Sequence, residues 1–273
     1  CILAGAQPHL KRISERLNIP VTSSLKAKGA MDERSAMALG SLGVTSTGYA
    51  YRYIVDHADS VVFLGADFNE RTSYLWDASL LNDKRVAQID RDPAQLGRVF
   101  SPDVAIHGDI QPIVSGLIER LQARGVEPKC LRGFERHRDA EPENGLQPAN
   151  DPRFVLIARF FSELAARFPE RAIVFDDNIV FAQNYFPVSD RNHYYPNSGI
   201  SSLGHALPAA LGASLGGVEG PVFAILGDGG FQMCAMELMT AVNYDTPINV
   251  LVINNGTMGL IRKNQFQLYD QRY

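Results

Sequence analysis

Two short motifs carry residues that could bind a metal ion together with a phosphorylated ligand. Gly227-Asp228-Gly229 and Asn254-Asn255 each follow a run of mostly apolar residues. The Asp228 carboxylate, the Asn255 amide oxygen and a backbone carbonyl would form the hard oxygen ligand set that suits Mg²⁺. Glycines beside Asp228 let the backbone approach a diphosphate closely, and a helix that starts there would offer free N–H groups to it.

The elements around the two motifs are predicted to bring them together. The apolar runs 222–226 and 248–253 indicate strands buried on both faces, and the 24 residues between the motifs can hold one helix and one strand. Asp228 and Asn255 would then lie at the carboxyl ends of two parallel strands, as possible neighbours, and face one crevice. Gly-Asp-Gly alone is typical of a turn, but at this spacing from Asn-Asn it indicates a binding site.

The same alternation of short apolar runs and longer helical patterns predicts the α/β class, with two domains, each a mainly parallel sheet flanked by helices. Strands are predicted at 1–5, 21–24, 60–66, 85–90, 104–107, 172–176, 222–226 and 248–253. Helices are predicted at 8–18, 46–58, 110–124, 151–168, 203–215 and 232–244, with a further helical segment under way at 267–273. Pro208 would be an interior residue of its helix and is expected to kink it.

The length of 273 residues suits about two domains. The predicted boundaries are 1–124 for the first domain, 125–150 for a linker and 151–273 for the second domain. The linker lacks apolar periodicity and contains several Pro and Gly residues. Because the chain starts without Met inside an apolar run and stops within a helical pattern, we expect it to be a piece of a longer protein, incomplete at the end of its second domain.

The amino-acid composition argues against nucleic acid and membranes as partners. The net charge of −4, with 45% hydrophobic and 21% charged residues, is ordinary for a globular protein and gives no basic surface for nucleic acid or anionic membrane. No apolar run approaches the roughly 20 residues that span a bilayer. The cysteines Cys1, Cys130 and Cys234 have no paired spacing for zinc or disulfides, so a cytoplasmic location is the expectation.

The stretch 225–264 closely resembles the thiamine diphosphate (ThDP) binding motif of the acetolactate synthase and benzoylformate decarboxylase superfamily. The resemblance implies that Asp228 and Asn255 bind Mg²⁺ through their side chains and Thr257 binds it through its backbone oxygen. It also implies that Gly229 and Gly230 lie against the diphosphate through their N–H groups.

A second segment, 201–210, resembles the part of this superfamily that supplies a bulky residue under the cofactor. Leu203 matches that residue, which wedges the two rings of ThDP into a V; the alternative is an ordinary core leucine. The Ser201 carbonyl would accept a hydrogen bond from the 4′-amino group. The cofactor contacts implied by the resemblance are therefore Ser201, Leu203, Gly227, Asp228, Gly229, Gly230, Asn255 and Thr257.

Residues 1–124 resemble the central domain of acetolactate synthase-like enzymes, on the pieces 28–30, 64–71, 88–93 and 108–109. That domain holds FAD in synthases and pyruvate oxidases and is often empty in simple decarboxylases. Asp67 occupies a position where synthases typically place an arginine that helps to hold FAD, and an acid there would repel phosphate. FAD binding stays open, and its possible contacts are Gly5, Gly65, Asp90 and Asp109.

Several other residues have simpler interpretations. His205 is expected to be a packed histidine and Cys234 a small buried residue. Three methionines recur at helical spacing and are predicted to lie in the core: Met233, Met236 and Met239.

If ThDP binds, the organic chemistry belongs largely to the cofactor, which adds to the carbonyl of a small 2-oxo acid so that carbon dioxide leaves. The product is then protonated, joined to a second carbonyl or oxidised by flavin. In the superfamily, an activating glutamate comes from an N-terminal pyrimidine-binding domain of the partner subunit. That domain is absent from this sequence, so its catalytic residue is unknown, the chain alone is expected to be inactive, and the full-length protein is expected to be a homodimer or homotetramer.

An acetolactate synthase-like carboligase is the leading hypothesis because the segments 255–262 and 265–269 look synthase-like. Residues 176–181 depart from this pattern, since synthases tend to carry Gly-Gln-His there. The alternatives are a simple 2-oxo acid decarboxylase of the benzoylformate decarboxylase type, a flavin-linked 2-oxo acid oxidase, and a non-catalytic regulatory nucleotide-binding chain.

Overall fold

A computed structural model describes residues 1–128 and 154–272. The chain separates into two units: Cys1–Ser162 with Pro187–Asp190, and Glu163–Phe186 with Arg191–Tyr273. Most of the predicted linker, residues 129–150, lies outside the described residues, as does the predicted helix start at Asp151-Pro152.

The first unit contains two parallel sheets among its described residues, with strand orders β1-β2 and β3-β4-β5. Its strands are β1 (Val21–Ser23), β2 (Ala38–Ser41), β3 (Ser60–Leu64), β4 (Arg85–Asp90) and β5 (Val104–His107). Its helices are α1 (Gln7–Leu17), α2 (Tyr49–His57) and α3 (Ile110–Ala123). The α/β class predicted from the sequence is therefore confirmed here.

Helix α3 shows why the first unit folds as it does. Ile110, Val114 and Ile118 recur every four residues, lie on one face of the helix and are buried. They pack against Ala6 and Ile89, and Ile89 belongs to β4, the middle strand of the three-stranded sheet. The apolar stripe thus buries one face of α3 against the sheet, the usual arrangement of a parallel α/β layer.

Residues 187–190 belong to the first unit because they pair with the segment around Glu33. The Glu33 N–H donates to the Val188 carbonyl (3.0 Å), and the Val188 N–H donates to Glu33 Oε2 (2.8 Å). The same carboxylate accepts a hydrogen bond from the buried Lys28 ammonium. The Glu33 Oε2 atom therefore accepts hydrogen bonds from a buried ammonium and from a backbone N–H, which offsets the cost of taking this charge out of water.

The rest of the described chain contains α4 (Val155–Arg167), which continues into the second unit, and a four-stranded parallel sheet of order β7-β6-β8-β9. Its strands are β6 (Ile173–Asp176), β7 (His193–Pro196), β8 (Val222–Gly227) and β9 (Asn249–Ile253). The helices after α4 are α5 (Val180–Tyr185), α6 (Ala206–Leu215), α7 (Asp228–Cys234), α8 (Leu238–Asn243) and α9 (Gly259–Leu268). The described residues 1–128 and 154–272 include no helix that is long and apolar enough to cross a membrane.

The register of the second sheet aligns the ends of its strands. Asp176 of β6 pairs with Ile225 of β8 and with Pro196 of β7, and Gly227 of β8 pairs with Ile253 of β9. All pairs are parallel, so the residues that follow β6, β8 and β9 emerge at one edge. This carboxyl edge is where ligands bind in open α/β sheets.

Helix α6 packs against this sheet and corrects one prediction. Ala206, Leu207, Ala210 and Leu211 are buried and pack with β8 in a single apolar cluster. The helix starts at Ala206 and not at 203, so Pro208 is its third residue. Backbone N–H groups of the first turn have no partner within the helix, and a proline there does not kink it.

Three further predictions fail at the ends of elements. The apolar run 1–5 is a 3₁₀ turn, Ile2–Ala4, because the Gly5 N–H returns to the Ile2 carbonyl (3.0 Å) and Gly5 adopts a left-handed conformation. The helix predicted at 232–244 begins earlier, at Asp228, and is interrupted by a 3₁₀ turn at Ala235–Glu237. The helical segment expected at 267–273 ends at Leu268.

Candidate cofactor site

The two motifs lie at the ends of neighbouring strands. Asp228 directly follows β8 and is the first residue of α7, with Gly227 as its N-cap. Asn254-Asn255 directly follow β9, which pairs with β8 in parallel. The predicted pair of parallel strands is therefore present, and its members are adjacent. The Asp228 carboxylate and the Asn255 amide emerge from the same edge of the sheet.

The loop after β9 holds the Asn255 side chain in a defined orientation. Asn255 Oδ1 accepts a hydrogen bond from the Thr257 N–H (3.0 Å), and Asn254 Oδ1 accepts one from the Gly256 N–H (2.9 Å). A Cβ atom at Gly259 would lie 2.9 Å from Asn255 Nδ2. The amide nitrogen thus faces the start of α9 and its oxygen faces Thr257, with a second lone pair left for a cation.

Asp177, immediately after β6, is a site residue that sequence reasoning missed. Its side chain is only 1% exposed, and its two oxygens accept hydrogen bonds from the N–H groups of Gly204 (2.8 Å) and His205 (2.9 Å). The Asn197 side-chain amide donates to it as well (3.3 Å) and also donates to the Ser202 carbonyl. The signal in the sequence was two consecutive acids at the end of an apolar strand.

The same carboxylate touches the glycine loop after β8. A Cβ atom at Gly230 would overlap Asp177 Oδ2, so Asp177 is compatible only with glycine at this position. Gly229 is less restricted, since a Cβ atom there would lie 3.5 Å from Met258 Cγ, which is ordinary contact. Cys234 is buried as predicted, and its thiol donates to the Gly230 carbonyl (3.3 Å). Asp177 and Cys234 therefore approach Gly230 from two sides.

Asp176 is a buried structural acid beside this loop. Its carboxylate accepts hydrogen bonds from the Ile179 N–H (2.6 Å) and from Gln183 Nε2 (2.9 Å), which fixes the start of α5. Burial raises the pKa of Asp176 to about 6, against the lowering effect of these bonds, and the neighbouring charge of Asp177 raises it further. The end of β6 thus carries two carboxyl groups with different partners.

The segment 201–205 lies between these contacts. Ser201 adopts a left-handed backbone conformation, and its hydroxyl is buried without a hydrogen-bond partner among the described residues, as is that of Ser198. Leu203 is half-buried, not a fully enclosed core leucine. His205 is exposed at the N-cap of α6, so the prediction of a packed histidine is wrong; the backbone of His205, not its ring, makes the contact with Asp177.

The methionine prediction is also wrong. Met233, Met236 and Met239 are 63%, 79% and 56% exposed. The 3₁₀ turn at Ala235–Glu237 interrupts the helix, and the positions that pack on the sheet are instead Cys234, Leu238 and Ala241. A periodic pattern identifies a face of a helix, but packing decides which face is buried.

The three-stranded sheet of the first unit has its own carboxyl edge. Gly65 follows β3, Asp90 ends β4, and Asp109 follows β5 as the N-cap of α3. The Gly65 N–H donates to the Ile89 carbonyl (2.9 Å). Gly5 precedes Ala6, which packs against this sheet, so the structure brings the four predicted dinucleotide contacts to one region of the unit.

Asp67 adds another acid to this edge, two residues after Gly65. Its carboxylate forms an exposed ion pair with Lys26 (3.7 Å) and accepts a hydrogen bond from the Asn69 amide (3.0 Å). The Arg98 guanidinium donates to the Asp67 carbonyl (2.6 Å). This edge therefore carries acids from more than one strand end, with the cations Lys26 and Arg98 beside Asp67.

Two protein-family models match the chain. The thiamine pyrophosphate enzyme central domain matches residues 1–117, and the C-terminal TPP binding domain of these enzymes matches residues 177–273, a range that includes both motifs. The chain belongs to the thiamine pyrophosphate enzyme family. Thiamine pyrophosphate and ThDP are two names for one compound, so the family resemblance seen in the sequence is confirmed.

Known members of this family align with the whole chain. The acetolactate synthase of Arthrospira platensis is 30% identical over 288 residues, covering 100% of this chain and 48% of its own length. The acetolactate synthase large subunits of Parasynechococcus marenigrum and Corynebacterium glutamicum are 31% and 29% identical, each covering 100% of this chain and 44% of its own length. The chain spans about half the length of the curated relatives it matches.

The donor set after β8 and β9 fits the magnesium and diphosphate of a thiamine pyrophosphate enzyme. Mg²⁺ demands octahedral coordination, so a carboxylate, an amide oxygen and a backbone carbonyl leave positions that phosphate oxygens and water would fill. The buried hydroxyl of Ser201 and the glycine cradle at 229–230 fit the same ligand.

The edge of the first sheet fits FAD less well. A dinucleotide carries two phosphates, and like charges repel strongly where water is partly excluded. Asp67 follows β3, and Asp90 and Asp109 lie at the ends of the neighbouring strands, so three acids stand along this edge. Lys26, beside Asp67, forms an ion pair with its carboxylate, and Arg98 donates to its backbone carbonyl.

Proposed function

We propose that this chain is the central and diphosphate-binding part of a ThDP- and Mg²⁺-dependent enzyme that decarboxylates a 2-oxo acid and joins the product to a second carbonyl, as an acetolactate synthase does. The observation that carries the proposal is the arrangement of Asp228 and Asn255 after two adjacent parallel strands, beside a glycine cradle. The names of the aligned relatives support the carboligase assignment.

Each predicted site residue has a role in this proposal. Asp228 and Asn255 hold Mg²⁺ through their side chains and Thr257 holds it through its carbonyl oxygen, while the N–H groups of Gly229 and Gly230 face the diphosphate. Gly227 ends β8 and sets the direction of this turn. When bound, ThDP supplies a carbanion that attacks the substrate carbonyl and an electron sink for the loss of carbon dioxide.

The ring side of the cofactor would contact the segment before α6. The Ser201 carbonyl accepts a hydrogen bond from the 4′-amino group of ThDP, and Leu203 supports the angle between the two rings of the cofactor. Leu203 is half-buried, so part of its apolar side chain stays accessible to a ligand.

A simple 2-oxo acid decarboxylase of the benzoylformate decarboxylase type is the second candidate. Residues 176–181 read Asp-Asp-Asn-Ile-Val-Phe, where synthases tend to have Gly-Gln-His. The acidic edge with Asp67 favours the same candidate, because the central domain is often empty in simple decarboxylases. For this reason we also propose that the first unit holds no FAD, which disfavours the flavin-linked oxidase.

The rest of the enzyme would complete the active site. The activating glutamate would come from a pyrimidine-binding domain of a partner subunit in a homodimer or homotetramer, so this chain alone is expected to lack turnover of 2-oxo acids. A cytoplasmic location agrees with the unpaired cysteines, Cys1 and Cys234, among the described residues.

Calorimetric titration of ThDP in the presence of MgCl₂ tests the proposal on the purified chain. We expect binding that EDTA abolishes, and a loss of more than about 100-fold in Asp228→Ala, because a direct metal ligand matters more than outer groups, whose loss costs about 10–100-fold. Glu219→Ala is the matched control, since that exposed acid forms only an ion pair with Arg171 at the surface. Absence of ThDP binding by the wild-type chain with Mg²⁺ would refute the site. ThDP binding that does not respond to Mg²⁺ would refute the metal-dependent enzyme.

A further inference from the structure

The Asp177 carboxylate lies between the two loops that the proposed function assigns to opposite ends of ThDP. On one side it accepts hydrogen bonds from the N–H groups of Gly204 and His205, the two residues directly after Leu203. On the other side it contacts Gly230, where a Cβ atom would overlap its Oδ2. Its own side chain is almost fully buried and does not extend into solvent.

Asn197 completes this arrangement from the other side of Leu203. Its side-chain amide donates both to Asp177 and to the carbonyl of Ser202, the residue before Leu203. Leu203 is thus flanked by backbone groups that a buried acid and a half-buried amide hold in place. Gly204 also packs on α7, since a Cβ atom there would lie 3.3 Å from Met233 Cβ and 3.9 Å from the Gly230 carbonyl oxygen.

We infer that Asp177 is a positioning residue that fixes the segment carrying Leu203 relative to the diphosphate loop at 229–230. A carboxylate has two acceptor oxygens and can hold two N–H groups at once, whereas an asparagine in the same place offers one acceptor and one donor. The inference rests on the proposed function, because it gives Asp177 the task of setting the distance between the ring side and the diphosphate side of one cofactor.

The test compares two ligands in wild type and Asp177→Asn. ThDP contacts both loops, whereas inorganic diphosphate with Mg²⁺ contacts only the loops after β8 and β9. We expect Asp177→Asn to bind ThDP about tenfold or more weakly, the effect of losing one hydrogen bond to a charged group, and to bind diphosphate with affinity within about twofold of wild type. The near-ultraviolet circular dichroism of bound ThDP should change at the same time, because the angle between its rings would no longer be fixed.

A second variant keeps the inference testable if Asp177→Asn does not fold, as judged by far-ultraviolet circular dichroism. Asn197→Ala removes the hold on the Ser202 carbonyl and should show the same selective loss of ThDP affinity. The inference would be overturned if the variants bound both ThDP and diphosphate as tightly as the wild type does. It would also be overturned if they lost affinity for both ligands to the same extent. Failure of the wild-type chain to bind ThDP at all would instead overturn the proposed function.

Gly230 provides an independent measurement of the same contact. Gly230→Ala should weaken ThDP binding strongly when Asp177 is present, because the new methyl group displaces the carboxylate, and much less in the Asp177→Ala background. The control is Gly212→Ala in α6, where a Cβ atom would meet nothing within 4 Å. Additive effects of the changes at 177 and 230 would contradict a shared role.

Discussion

The carboxyl edges of the two sheets have the same backbone arrangement but carry different side chains. In both, parallel strands end together, and the following residues are rich in glycine and polar side chains. In the second unit, the acid that follows β6 and contacts Gly230, Asp177, is buried and accepts hydrogen bonds from backbone N–H groups. In the first unit, Asp67 is exposed and pairs with a flexible lysine.

This difference shows which part of the fold determines the ligand. The sheet fixes where loops emerge, and the residue after each strand decides what chemistry they offer. A buried carboxylate that is satisfied by backbone donors shapes a loop without presenting free charge to an anion, whereas a half-exposed one contributes repulsion. Substitutions at the two edges should therefore have different consequences.

The largest expected loss of stability comes from a substitution just before β8 in the second unit. Gly220 has a φ of +114°, and a Cβ atom there would overlap the Arg171 backbone carbonyl. Gly220→Ala should lower the free energy of unfolding of the second unit by about 4 kcal/mol, because a backbone clash adds to the strained conformation. Thermal unfolding followed by circular dichroism measures this, with Gly217→Ala as control, where φ is +73° but the space is open. A similar shift for both variants would show that the clash is unimportant.

The next effect is a pH dependence carried by Asp176. Its pKa is raised from 3.8 to about 6 by burial, so the folded state binds the proton more tightly than the unfolded state does. The stability that this proton provides is fully present below about pH 4 and is lost as the pH rises through about 6, a change of about 3 kcal/mol at about 1.4 kcal/mol per pKa unit. Urea unfolding at pH 4 and pH 7 should show this loss in wild type and a smaller one in Asp176→Asn. Parallel profiles would contradict the assignment.

A smaller effect is expected when the edge of the first sheet is given the missing cation. Asp67→Arg should increase the affinity for FAD about tenfold, equivalent to roughly 1.4 kcal/mol, because repulsion of a phosphate is replaced by attraction. Fluorescence quenching of FAD measures binding, and Asp56→Arg on the exposed side of α2 is the control with the same change in net charge. Stoichiometric FAD in purified wild-type protein would remove the proposed difference between the two edges.

The smallest effects should be the same in both units. Gly116 in α3 and Gly212 in α6 are helical glycines with no atom within 4 Å of a built Cβ atom. Alanine at either position should raise the free energy of unfolding of its unit by about 0.5–1 kcal/mol, since glycine is a poor helix former. Thermal unfolding would detect both shifts. A loss of stability in only one variant would show that the two units also differ in the packing of their helices, away from the carboxyl edges of the sheets.

Sequence patterns were sufficient where the signal is local. The runs that became β8 and β9 were recognised as strands, and the motifs at their ends could be placed from spacing alone. The prediction that both strands are buried on both faces holds for β8 and is wrong for β9, which lies at the edge of the sheet and exposes Asn249 and Val252. Strands β2 (Ala38–Ser41) and β7 (His193–Pro196) were not predicted, because they contain no β-branched residue and β7 ends in proline. Such strands form because a neighbouring strand offers hydrogen bonds, which no short window of sequence reveals.

The candidate site was predictable only in part for the same reason. Asp228, Asn255 and Leu203 stand in motifs, whereas Asp177 acquires its role from residues 27 and 28 positions further along the chain. The methionines illustrate the opposite error, since their spacing suggested a core, whereas the neighbouring face with Cys234, Leu238 and Ala241 packs on the sheet. Long-range contacts and breaks in a helix both lie outside what periodicity can report.

The contact between Asp177 and Gly230 has a consequence for how sequences of this kind can diverge. Position 230 cannot take a side chain while the acid stays at 177, because that side chain needs the space that the carboxylate fills. A smaller residue at 177 would permit alanine or serine at 230, and an acid at 177 would demand glycine there. The two positions should therefore vary as a pair among related proteins, so that the identity of one restricts the other although 52 residues separate them in the chain.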